Sequence, residues 1–268
     1  AGYPDYYTML FKASETGILK DGELESARAI MDESQYQQEF ECSWSAALVG
    51  SYYGAALDLA ETDNRVTNVP YDPNLKVSVS FDLGVADSTA IWFCQEYPRT
   101  GEVRLIDYYE ASGEGLHHYV KELNNRPYHY DKFLFPHDIM VRELGSGSSR
   151  YEMLTGLGMR PSVVAKLKVQ DGIEAVRALL PRCWFDRKRC AQGLKYLRGY
   201  HRAWDARRND WRSRPNHDAS SHSADSFRYL AVGLRDGDNN DDIKSMSRSQ
   251  HLADGRPVIM TDYADSFA

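Results

Sequence analysis

Residues 76–110 read KVSVSFDLGVADSTAIWFCQEYPRTGEVRLIDYYE. Val77, Val79 and Phe81 alternate with Ser78, Ser80 and Asp82, the two-residue period of a strand with unlike faces. STAIWFCQEY and EVRLIDYYE continue as two more strands, and the turn formers of PRTGE between them predict an antiparallel meander of three. A helix follows at EGLHHYVKELNN, then a short apolar strand, KFLFP, which runs into His137 and Asp138. PSVVAKL reads as a further strand, and helices fill the rest. The two later strands are reached through helices, so they are expected to run parallel to the first. The fold class is then α/β, a mixed five-stranded sheet of a three-strand meander plus two parallel strands, flanked by helices.

Outward from this core the pattern weakens. Residues 22–60 are expected to be helical and to pack on the main domain, with Leu24, Ala27, Ile30 and Met31 at helical spacing. Residues 236–268 open with DGDNNDD, lose all periodicity and are expected to be a flexible tail. This divides the chain into a lead-in over 1–60, a main domain over 61–235 and a tail over 236–268. The chain contains no apolar run of 18 residues, so no membrane partner is expected. AGYPDYY at the start has neither a basic nor an apolar segment and does not read as a signal peptide. Cys42, Cys94, Cys183 and Cys190 form no CxxC pair, which argues against a disulfide framework and against a zinc knuckle.

Three carboxylates stand out by position. Asp82 ends the first strand, Asp138 ends the fourth, and Asp225 lies in PNHDASSHSADSFRYLAVGL, on a helix face shared with His222, Tyr229 and Val232. A carboxylate between Tyr and Val is not on a fully solvated face, so something must offset the cost of its desolvation. If the first and fourth strands are parallel neighbours, their ends meet at one sheet edge, and a helix laid across that edge brings in the third acid. Clustered carboxylates repel and call for cations. Hard divalent ions, Mg²⁺ or Mn²⁺, suit such oxygen ligands, and two of them about 4 Å apart form the arrangement that cleaves phosphodiesters. His222, Asp218 and Asp87 are candidates to orient these ligands from behind, although Asp218 reads first as a turn or cap residue and His222 and Asp87 also suit caps.

FDLGVADSTAIWF, FPHD with SRYEMLTGLG, KVQDGIEAVRALLP and PNHDASSHSADSFRYLAVGL, in that order over roughly residues 60–235, resemble the nuclease domain of the large terminase subunit of tailed bacteriophages. The resemblance implies a ribonuclease-H-like fold and a two-metal-ion endonuclease that cuts double-stranded viral DNA during genome packaging. By it Asp82 would bridge two Mg²⁺ or Mn²⁺ ions, Asp225 hold one and Asp138 the other. It also implies a portal protein, a small terminase subunit and a motor ATPase domain as partners, and the host cell cytoplasm as location. No GxxxxGK[ST] loop is present, and GSGSSR at Gly145 lacks the Lys and the spacing, so no ATPase activity is expected here. Residues 1–60 would join the nuclease to a preceding ATPase domain.

The chain carries a net charge of −7, yet Arg182–Arg214 holds eleven Lys and Arg against three Asp, a local +8. Aromatic residues interleave with these cations. Arg187, Lys188, Arg202, Arg207, Arg208 and Arg212 are the candidate phosphate contacts, with Arg207 and Arg208 on a projecting hairpin or loop. Two alternatives share the fold: a transposase- or integrase-like polynucleotidyl transferase, and a non-catalytic DNA- or portal-binding module. An actin-like kinase is disfavoured, because a second DxG strand is missing.

Overall fold

A computed structural model describes residues 9, 11–31, 36, 39–42, 50–84, 88–145, 147–205 and 210–235. In chain order the elements are helices α1 (Ala13–Thr16), α2 (Asp21–Ile30) and α3 (Gly54–Thr62), then strands β1 (Val66–Thr67), β2 (Val77–Asp82), β3 (Ser88–Tyr97) and β4 (Glu102–Ser112). Helix α4 (Leu116–Asn124), strand β5 (Tyr130–Phe135), helix α5 (Arg150–Gly156), strand β6 (Pro161–Val163) and helix α6 (Val169–Leu179) follow. Strand β7 (Cys183–Asp186), helix α7 (Ala191–Gly199), strands β8 (Arg202–Asp205) and β9 (Asp210–Pro215), and helix α8 over residues 219–235 complete the described chain.

Seven strands form one sheet in the order β1-β7-β4-β3-β2-β5-β6. The β2–β3 and β3–β4 pairs are antiparallel and all others parallel, so β3 alone runs against the rest. The meander and the two parallel strands stand as expected. Two strands come in addition, β7 and β1, which extend the sheet beyond β4. The separate β8–β9 pair is an antiparallel hairpin. Among the described residues no helix is long and apolar enough to cross a membrane. All four cysteines are free thiols.

Two apolar layers sandwich the sheet. Val77, Val79, Phe81, Ile91 and Phe93 face one layer, closed by Tyr119 and Leu123 of α4 and Leu154 of α5. Ala90, Trp92, Leu105 and Leu134 face the other, closed by Ile173 and Val176 of α6, Leu194 and Leu197 of α7, and Phe227, Leu230 and Leu234 of α8. Ser78 and Ser80 of β2 therefore point at a helix and not at water, and Ser80 is fully buried. Ser226 of α8 satisfies it, donating to the Ser80 carbonyl at 3.0 Å while the two hydroxyls lie 3.2 Å apart. Trp92 donates its indole N–H to the Ser223 carbonyl at 3.0 Å. Gly233 permits the close approach: a Cβ there would lie 2.7 Å from the Leu134 methyls. Small polar residues on β2 and a glycine on α8 thus seat this helix against the sheet.

Helix α2 ends at Ile30 with Met31 in extended backbone. Ile30 is 85% exposed, while Leu24 and Ala27, and Met31 just after the helix, are half-buried. Helix α3, by contrast, buries Leu57 and Ala60 against the main core.

Candidate functional site

Asp82 is the last residue of β2, and its register partner Ala90 is also a core residue beneath α8. The carboxylate points to the α8 side, where His222 Nδ1 lies 3.2 Å from its Oδ2. One turn further along α8 is Asp225. Its carboxyl is pushed up from the usual 3.8 to about 6, first by burial and then by the neighbouring Asp82, against the opposing pull of Arg228. Arg228 donates to Asp225 Oδ1 at 2.7 Å.

Asp138 lies in a single 3₁₀ turn, His137–Met140, directly after β5 and Pro136. Strands β2 and β5 are parallel neighbours, which sets Asp82 and Asp138 at the same sheet edge. Arg150, the first residue of α5, donates to Asp138 Oδ2 at 3.4 Å, whereas Asp138 Oδ1 is buried with no hydrogen-bond partner among the described residues. All three carboxylates converge electrostatically on Tyr229. Its phenol is raised well above the usual value by burial first, then by Asp82, Asp225 and Asp138.

Whether these residues suit a divalent ion can be judged on their chemistry. The donors are carboxylate oxygens, the class Mg²⁺ and Mn²⁺ prefer, and Asp138 carries a buried acceptor with no donor among the described residues. Asp82 and Asp225 repel each other, which a cation between them would relieve. As the side chains stand, no three His, Cys, Asp or Glu among the described residues gather closely enough to hold an ion. The set fits in kind, with Asp82 and Asp225 near each other and Asp138 tied off by Arg150.

The other expected residues separate into groups. His222 touches Asp82. Asp218 does not: its Oδ1 accepts from Ser220 N at 2.8 Å and its Oδ2 from Asn216 Nδ2 at 2.8 Å, so it caps the start of α8. Asp87, Arg207 and Arg208 lie outside the described residues. Arg187 pairs with Glu61 of α3 at 2.9 Å and follows β7, which β4 and β3 separate from β2. Lys188, Arg202 and Arg212 are exposed. The basic stripe is also partly structural, since Arg198 is clamped to Asp58 and Glu61 and Arg189 donates to the Tyr128 hydroxyl at 2.8 Å.

Three residues near the site escape the sequence reasoning. Arg228 sits three residues after Asp225, a helical spacing that signals an ion pair. Arg150 carries no such signal, because a loop separates it from Asp138. Glu110 shares a cross-strand row with Ala90 and Asp82, and its carboxylate accepts from Tyr108 at 2.7 Å and Tyr196 at 3.3 Å.

No protein-family model matches the chain, and no curated protein matches it in sequence. Solved structures do match. A large terminase from a thermophilic bacteriophage aligns over 82% of this chain and 54% of its own, at a TM-score of 0.51 and 19% identity. The P22 large terminase nuclease domain aligns over 64% of this chain and 89% of its own, at a TM-score of 0.50 and 16% identity. The chain has the fold of a terminase nuclease domain. It spans about half the length of the first of these terminases and most of the P22 nuclease domain. Nuclease domains from SPP1 with bound manganese and from G20c with bound magnesium match less closely, at TM-scores of 0.44 and 0.46.

Proposed function

We propose that this chain is a metal-dependent endonuclease that cuts double-stranded DNA as part of a viral packaging machine, with Asp82, Asp138 and Asp225 as its ligands. The observation that carries the reading is the position of Asp225: a carboxylate on a helix otherwise committed to the core, 28% exposed and within electrostatic reach of Asp82. A partly buried acid beside a second acid is costly, and Arg228 hydrogen-bonds only Oδ1 of Asp225, so a further cation would offset what remains of the repulsion. Likeness to the folds of the thermophilic-phage terminase and the P22 nuclease domain supports the setting. The packaging partners (a portal protein, a small terminase subunit and a motor ATPase domain) and the host cytoplasm belong to the same proposal.

Asp82, Asp138 and Asp225 would hold the divalent ions, and Mg²⁺ or Mn²⁺ bound by them would supply activation of the attacking water and stabilisation of the leaving oxygen. The chain's own part is to fix the ligands. His222 orients Asp82 from behind. The seating of α8 through Ser226 and Gly233 fixes Asp225 against the sheet. The β8–β9 hairpin, which leads into α8, offers exposed Arg202 and Arg212 to the phosphate backbone.

Plasmid incubated with the protein in Mg²⁺ or Mn²⁺ should be nicked and linearised, and chelator should abolish this. D82N, D138N and D225N should each lower cleavage by orders of magnitude while leaving the fold intact. Plasmid that stays intact across all metal concentrations sinks the reading. Joined strands in place of simple cuts would point to a polynucleotidyl transferase.

A further inference from the structure

Each candidate ligand has a basic side chain against it: His222 Nδ1 at 3.2 Å from Asp82, Arg150 at 3.4 Å from Asp138 and Arg228 at 2.7 Å from Asp225. Arg228 is the most deeply set of these. It is only 9% exposed, and its Nε is buried with no hydrogen-bond partner among the described residues. Its stem lies against α6, where a Cβ on Gly172 would come within 3.2 Å of the Arg228 Cδ. The glycine in the first turn of α6 therefore makes room for the stem of Arg228. A guanidinium does not give up its proton, so Arg228 is a permanent charge held in place by packing. It takes Oδ1 of Asp225 and leaves Oδ2 outside the ion pair.

We propose that Arg228 is a positioning residue for the metal site: it fixes Asp225 through one oxygen, leaves the other for the ion, and as a resident cation keeps the site's affinity for free divalent metal low. The inference rests on the nuclease reading. A fixed positive charge beside a ligand repels an incoming divalent ion while it orients the carboxylate that must receive it. Arg150 acts in the same sense at Asp138, more weakly because that carboxylate is half exposed.

Mn²⁺ titrated into the full chain by calorimetry, without DNA, tests this. Loss of one unit charge beside the ion in R228M should tighten Mn²⁺ binding by about tenfold, while R228K, which keeps the charge, should stay close to the parent. An arginine that merely supported the fold would give weaker or unchanged binding in R228M, and that result overturns the proposal. Should R228M fail to fold, R150M carries the test, with tighter Mn²⁺ binding expected and unchanged binding overturning it. D225N separates the two levels. Lost Mn²⁺ binding in D225N without tightening in R228M defeats this inference alone. Binding that survives D225N defeats the nuclease reading beneath it.

Discussion

Burial and the nearby Asp82 hold the Asp225 carboxyl near 6, and the sign of the resulting pH dependence follows directly. Its folded value lies above its ordinary one, so the folded state binds the extra proton between about pH 4 and 6. The stabilisation from that proton is complete below about pH 4 and lost as pH rises through about 6. D225N, which removes the titration, should therefore gain on the parent by about 2–3 kcal/mol between about pH 4 and 7 in chelator. Urea melts of both proteins across that range check it, and a difference that stays flat with pH contradicts it. The positions of Asp82 at a strand end, Asp138 just beyond another and Asp225 on a helix face were legible because strand ends and helix faces follow from periodicity alone. Asp218 was not separable in advance from an orienting residue, since a cap and a ligand partner share the same residue type at a helix start. Arg150 was not legible at all, because its approach to Asp138 depends on the path of the loop between β5 and α5.

At the scale of elements, long alternating strands were readable and short ones were not. Two residues of β1 carry no period, and CWFD of β7 sits among Arg and Lys that read as a solvated stripe. Asp186 in that stretch is a fastener: its carboxylate accepts from Val69 N at 3.0 Å, Lys188 N at 3.1 Å and Arg189 N at 2.8 Å. D186A strands these donors, one of them buried, and should cost about 2–3 kcal/mol. A urea midpoint unchanged in D186A would show that water takes over all three. Helix α8 sets a stricter limit. Gly233→Ala forces its Cβ against the Leu134 methyls, which must shift, at a cost of about 1–3 kcal/mol. The denaturation midpoint should fall while the m-value stays constant.

Over the whole molecule, the acidic total hides a basic region whose members do different work. Arg198 is bound to Asp58 and Glu61, so R198A should lower stability and leave the salt dependence of DNA binding as it was. R202A and R212A should weaken binding to any duplex alike, each reducing the slope of log K against log salt by roughly one. Fluorescence anisotropy at several salt concentrations separates the two classes. If the slope changes with R198A and not with R202A or R212A, the assignment of the stripe is reversed. Charge counting found the region, but only the ion pairs to α3 show which part of it is already spent on the fold.

Helix α8 carries Asp225 on one side and Phe227, Leu230 and Leu234 of the core on the others. Its amides are then expected to exchange with deuterium only when the core itself opens. A ligand that grips Asp225 must suppress that opening. Mn²⁺ at about 100 times its dissociation constant should slow exchange along the buried length of α8 by about a hundredfold, some ~2.7 kcal/mol, and should protect the β2 and β5 amides beneath it to the same degree. In such an arrangement occupancy of the site is read out by the slowest protons of the protein, far into its interior.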